Sequence, residues 1–102
     1  MAGDECRKVV VLKKDMGLSH REFFASLATL AREFPCRVSD NGAILEYDSG
    51  EIHIVLEPES QRQLGLIKLP QTWVSLNFHN LSESQRRLFL KRFDLAFRRG
   101  GG

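Results

Sequence analysis

The sequence is poor in the features that announce chemistry. Its 102 residues hold two cysteines, three prolines, one tryptophan and one tyrosine. Cys6 and Cys36 stand far apart, with no Cys-x-x-Cys and no neighbouring histidine, which excludes a local zinc site or redox dithiol. Cys36 follows Pro35 at a strand start and is expected to be a small buried hydrophobe. Around Cys6 only Arg7 and Lys8 offer positive charge, too little to argue for a reactive thiolate. No apolar run approaches the ~20 residues of a membrane-spanning helix. The longest, Val9 to Leu12 and Ile52 to Leu56, have the length of strands. The opening MAGDECRKVV carries acids and no apolar stretch of signal-peptide length, so the expected location is cytoplasmic, without membrane contact. Also missing are G-x-S-x-G, a Walker loop, G-x-G-x-x-G and His-Glu-x-x-His. The chain is therefore expected to be non-enzymatic, with no metal and no cofactor.

What is present describes an ordinary globular chain. Apolar residues make up 42% and charged residues 27%, and 102 residues suffice to bury a core without disulfides or metal. A single domain over 1–102 is expected, with flexible ends at about 1–6 and 99–102. The formal net charge of +2 conceals a segregation. Residues 35–80 hold three Lys/Arg against six Asp/Glu, and residues 81–102 hold six against two. A basic C-terminal segment beside an acidic centre can steer an anionic partner or neutralise itself internally.

The periodicity predicts strands at KVVVLK, CRVS, AILEYD, EIHIVLE and LGLIKL, with WVSLNFH as a further one. KVVVLK reads as a buried strand, broken by Lys14 to Gly17. Asn41-Gly42 suits a type I′ hairpin, Asp48-Ser49-Gly50 a tight turn, and Leu69 to Thr72 a turn preset by Pro70. The polar connection Pro58 to Gln63 is expected to be a solvated loop, and it is also the best-placed functional loop. Two helices announce themselves by capping boxes, with Ser19 and Glu22 opening the first and Ser82 and Gln85 the second. Pro35 ends the first, whose stripe is Phe23, Leu27, Leu30, Ala31 and Phe34. The second is expected to run to about Arg98, with Phe89, Leu90, Phe93, Ala96 and Phe97 inward.

Alternation then assigns faces to the sheet. Ile52, Ile54, Leu56, Val74, Leu76 and Phe78 share a dry face, and Glu51, His53, Val55, Glu57, Trp73, Ser75 and Asn77 the opposite, largely polar one. LGLIKL alone has apolar residues on both sides. Trp73, Ser75 and Asn77, with Tyr47 nearby, form a candidate stacking platform or interface anchor, or else pack under the 58–63 connection. His53 and His79 can meet Glu46, Glu51 or Glu57 on the sheet, although solvated imidazoles are the simpler expectation. On the second helix Leu88 and Leu95 face away from the core, amid the basic patch Arg87, Lys91, Arg92, Arg98 and Arg99.

The resulting order, β-α-β-β-β-β-(β)-α, resembles the TATA-binding-protein-like class of two-layer α+β folds. The resemblance implies an antiparallel sheet of five to six strands with two helices on one face. That class hosts lipid-pocket proteins, DNA binders and accessory domains alike, so it selects no function. The leading expectation is an interaction module that binds itself or another protein through the sheet face or the last helix. Alternatives are a small apolar or aromatic ligand held between sheet and helices, and nucleic acid on the basic helix, whose affinity would fall steeply with salt.

Overall fold

The computed structural model describes residues 9–98. The ends expected to be flexible, and with them Cys6 and Arg99, lie outside these residues. Six strands and two helices follow the order β-α-β-β-β-β-β-α: β1 (Val9–Met16), α1 (His20–Leu30), β2 (Cys36–Ser39), β3 (Gly42–Tyr47), β4 (Gly50–Leu56), β5 (Ser60–Leu64), β6 (Ile67–His79) and α2 (Glu83–Ala96). All pairings are antiparallel, and the sheet runs β1-β6-β4-β3-β2, with β5 paired to β6 beyond the end of β4. Among the described residues no helix is long and apolar enough to cross a membrane.

Both helices start where their capping boxes place them. The Ser19 hydroxyl accepts from the Glu22 amide while the Glu22 carboxylate accepts from the Ser19 amide, and Ser82 with Gln85 repeats the arrangement. The first helix proper stops at Leu30, earlier than the proline rule alone implies. Residues 31–34 continue as a tightened turn in which the Glu33 and Phe34 amides both donate to the Leu30 carbonyl, which still delivers Phe34 to the core. The second helix ends at Ala96, with Phe97 as its cap.

The core lies between one sheet face and the two helices. Phe23, Leu27 and Leu30 of α1 and Phe89 and Phe93 of α2 cover Leu45, Ile52, Ile54, Val74, Leu76 and Phe78. Phenylalanine rings join the layers: Phe23 lies 4.8 Å from Phe97, Phe34 lies 5.4 Å from Phe89, and Phe78 meets Phe89 edge-on at 5.9 Å. The expected dry face is therefore the buried one, and the face bearing Trp73 is open.

Four expectations change at the strands. First, β1 runs through Lys14 to Met16 and forms an edge, with Val9, Val11 and Leu12 exposed; its register continues because Lys14 reaches over the Phe93 ring to Asp94 instead of being buried. Second, the β2–β3 turn is one residue early. Ser39 pairs with Gly42 across Asp40-Asn41, and neither Asn41 nor Gly42 is in the left-handed region, so this is not a type I′ turn. Gly42 is instead needed for close approach, because a Cβ there would collide with the Ile54 carbonyl.

Third, Ser60 to Leu64 is not a loop but a strand. Fourth, Pro70 is not in a turn: β6 runs straight through it for thirteen residues. The turn is at Gly65-Leu66, where Gly65 has φ +63° at the first central position of a two-residue loop, the pattern of a type II′ turn. The pair flanking such a loop, Leu64 and Ile67, exchanges hydrogen bonds, and pairs alternate from there. Gln61 and Pro70 then form a non-hydrogen-bonded pair. The nitrogen of Pro70 therefore points to the outer edge, where β1 has already ended at the Met16–Thr72 pair, and the missing N–H costs no ladder bond.

Candidate functional site

The same register builds the open face row by row. Val9, His79, Glu51 and Glu46 form one row; Val11, Asn77, His53, Ile44 and Arg37 the next; Lys13, Ser75, Val55, Gly42 and Ser39 the third. Asp15 and Trp73 begin a fourth. Trp73, Ser75 and Asn77 share this face as alternation requires, and Trp73 is 43% exposed rather than packed under residues 58–63. Tyr47 does not join them. It lies on the helix side against the Phe34 ring at 5.3 Å, because the β3–β4 register gives it the parity of Ala43 and Leu45.

His53 and His79 do meet. Their rings are 4.2 Å apart, since His79 pairs with Glu51 and His53 with Asn77, making the two histidines diagonal neighbours. His53 Nε2 lies 2.8 Å from Glu51 Oε1, and Asn77 Nδ2 donates to the His53 carbonyl. The hydrogen bond from His53, with the positive charge of His53, Arg37 and His79, holds the Glu51 carboxyl below its ordinary range. Among the described residues no group of His, Cys, Asp or Glu is arranged to hold a metal ion.

Along β6 the odd residues continue from the sheet onto the β5–β6 hairpin, an arm of five residue pairs reaching ~17 Å beyond the main sheet. Ile67 and Leu69 thus share the face of Trp73, and the register adds Leu64 opposite Ile67 and Arg62 opposite Leu69. Leu64 is 56% exposed, Ile67 61%, and Leu66 at the tip wholly so. None of the five residues of β5 is buried.

The root of the arm is fixed from several sides. Residues 57–59, with Pro58 in the middle, oppose only Thr72 and Trp73, so the passage from β4 to β5 is a one-residue bulge. The Asp15 carboxylate accepts from both Arg62 and Gln71 at 2.8 Å. The His20 amide donates to Glu59, and its imidazole bonds the Glu57 carbonyl at 2.9 Å, which makes His20 a tie between helix and bulge rather than a solvated surface group. The buried Thr72 hydroxyl donates to the Leu18 carbonyl.

A second apolar feature lies on the helix side, at the opposite edge of the sheet. Phe24, Leu27, Ala28 and Ala31 of α1 and its C-terminal cap face Cys36 and Val38 of β2 across an open groove of about 400 Å³. Cys36 is half-buried there, not enclosed, and partial burial raises its thiol pKa. On α2, Leu88 and Leu95 are exposed as their helical phase requires. The basic patch around them is partly neutralised, Arg87 by Glu83 at 2.9 Å and Arg92 by Glu33 at 3.5 Å, whereas Lys91 and Arg98 are exposed.

Sequence reasoning missed the arm residues Leu64, Leu66, Ile67 and Leu69 as a site. The signal was the lack of clean alternation in LGLIKL, which arises because its first half is a turn. No protein-family model matches the chain, and no curated protein or solved structure was found to be similar to it.

Proposed function

We propose that the chain is a protein-interaction module that docks through the open sheet face and the arm that extends it. The observation that carries this reading is the exposure of Leu64, Leu66, Ile67 and Leu69 on a two-stranded ribbon continuous with the face of Trp73. An isolated ribbon is marginal in water, and exposed aliphatic groups clustered on one mark a contact site. Tyrosine-poor but anchored by a tryptophan and aliphatics, with Arg62 and Lys68 at its margins, the surface has the make-up of a protein contact. The ion pairs on α2 reduce the charge available to phosphates, which weighs against the nucleic-acid reading.

The test is affinity capture by the full chain from nuclease-treated lysate, beside Ile67→Glu and Leu88→Glu variants shown to be folded by circular dichroism. Retention of a protein or of further copies of the chain, lost with Ile67→Glu and kept with Leu88→Glu, is the expected result. Equal retention by the Ile67→Glu variant, or dependence on Leu88 alone, refutes the arm as the site.

A further inference from the structure

The chain holds three asparagines, Asn41, Asn77 and Asn80, and only Asn41 precedes a glycine. Asparagine is chemically labile, and most so before glycine, because a following residue without Cβ leaves its backbone nitrogen open to the asparagine side chain. At Asn41-Gly42 the Gly42 nitrogen would attack the Asn41 Cγ. The bond from Cγ to the side-chain nitrogen breaks, and ammonia leaves with the proton that Gly42 gives up, so that the two residues share a five-membered imide. Water then opens the imide at either carbonyl, giving an aspartyl residue or an isoaspartyl residue whose main chain runs through the former side chain. The bulky residues after Asn77 and Asn80, Phe78 and Leu81, slow the same attack there.

The fold keeps this reactive pair and restrains it. Gly42 is buried, and a Cβ there would collide with the Ile54 carbonyl, so the position stays glycine for packing. Asn41 is exposed in the two-residue turn between Ser39 and Gly42. The Glu46 amide donates to the Pro35 carbonyl at 2.9 Å, toward β2, and the Leu56 amide donates to the Asn41 carbonyl at 2.8 Å, from β4. Hydrogen-bonding direction alternates along a strand, so the even residues of β3 point to β2 and the Gly42 amide donates to Ser39, its partner in the ladder. The nucleophile is thus committed while β2 is in place. β2 is four residues long, lies at the sheet edge and pairs with β3 alone, which makes it a strand that opens locally at low cost.

We infer that Asn41-Gly42 is a deamidation site gated by the opening of β2, and that its isoaspartyl product makes the opening permanent. Isoaspartate adds a main-chain carbon between Ser39 and Gly42, so the Ser39–Gly42 pair and the Leu56 to Asn41 bond cannot both re-form. β2 supplies Cys36 and Val38 to the α1–β2 groove, and the modified chain therefore exposes the Cys36 thiol.

The test incubates the full chain in mildly alkaline buffer, folded and in guanidinium chloride, and follows acid formation at each asparagine by peptide mass, with fragmentation that separates isoaspartate from aspartate. Position 41 is expected to react first, and at least about tenfold more slowly in the folded chain, as for a strand open less than about a tenth of the time. Val38→Gly weakens β2 at an exposed position and should speed the folded reaction at least about twofold, with the fold intact by circular dichroism. In a Cys6→Ser background, the purified isoaspartyl form should show Cys36 labelled by a thiol reagent at least about twofold faster than in the parent. Equal rates with and without denaturant, or a folded rate indifferent to Val38→Gly, overturn the gate. First reaction at Asn77 or Asn80, or no acid at position 41 in either state, overturns the site. Unchanged labelling of Cys36 overturns the permanent opening.

Discussion

Along β6, Val74, Leu76 and Phe78 are buried under two helices, whereas Ile67 and Leu69 stand in solvent on the same strand. The body is held by burial and by pairing on both edges. The arm is held by pairing on one edge and by the polar ties at its root, Asp15 to Arg62 and Gln71 and His20 to the bulge. One backbone thus serves two regimes. Where side chains are enclosed, sequence changes register as stability; where they are not, the proposed docking role has them register as affinity.

The largest expected effect is in the body. Phe93 is fully buried amid Phe89 and Phe97, and Phe93→Ala is expected to cost about 3–5 kcal/mol in urea unfolding. Next comes Gly42→Ala, which forces a Cβ toward the Ile54 carbonyl between two paired strands and should cost about 1–3 kcal/mol. A loss below about 0.5 kcal/mol there would mean that β3 and β4 yield more easily than a packed body should. Leu66→Gln in the arm should change stability by less than about 0.5 kcal/mol while abolishing association. A stability loss equal to that of a core residue would erase the distinction between the two regions.

The smallest effect expected is at Glu51, on the open face. Its folded carboxyl lies below the ordinary value of about 4.5, so the stability it adds is fully present above that pH. That contribution is lost as the pH falls through the lowered folded value. Glu51→Gln should therefore lower the urea midpoint slightly at neutral pH and flatten its fall on acidification below about 4.5, so that the two chains converge in acid. A fall as steep as in the unmodified chain would show that the His53 contact contributes nothing.

The parts of the fold legible in the sequence were those fixed locally. Ser19 with Glu22 and Ser82 with Gln85 act within one turn, and the alternation of Trp73, Ser75 and Asn77 against Val74, Leu76 and Phe78 is a property of the strand itself. Ser60 to Leu64 was illegible because its strand state comes from pairing with β6, not from burial, and a fully exposed strand carries no period-two pattern. Pro70 misled for a related reason: its missing N–H breaks a ladder only on a paired edge, and which edge is paired depends on where β1 ends. The meeting of His53 with His79, and the parting of Tyr47 from Trp73, follow from register between distant strands. The groove needed α1 and β2 to be placed together, which no spacing along the chain records.

The two-residue turn at Gly65 also bears on how the chain folds. β1 reaches β6 only after the whole segment from Met16 to Thr72 has been looped out, whereas β5 and β6 fold back through Gly65-Leu66 and extend, across the bulge, into the β4–β6 pairing. Closing a short loop has the lower entropic cost, so the three two-residue hairpins, at Asp40-Asn41, Asp48-Ser49 and Gly65-Leu66, are the economical first pairings, and the edge strand β1 adds last. The exposed arm is thereby one of the places where pairing starts, although it buries none of the residues of β5 in the finished protein. Gly65→Ala, strained at positive φ, is expected to slow refolding more than it speeds unfolding, a difference that the two limbs of a chevron plot separate.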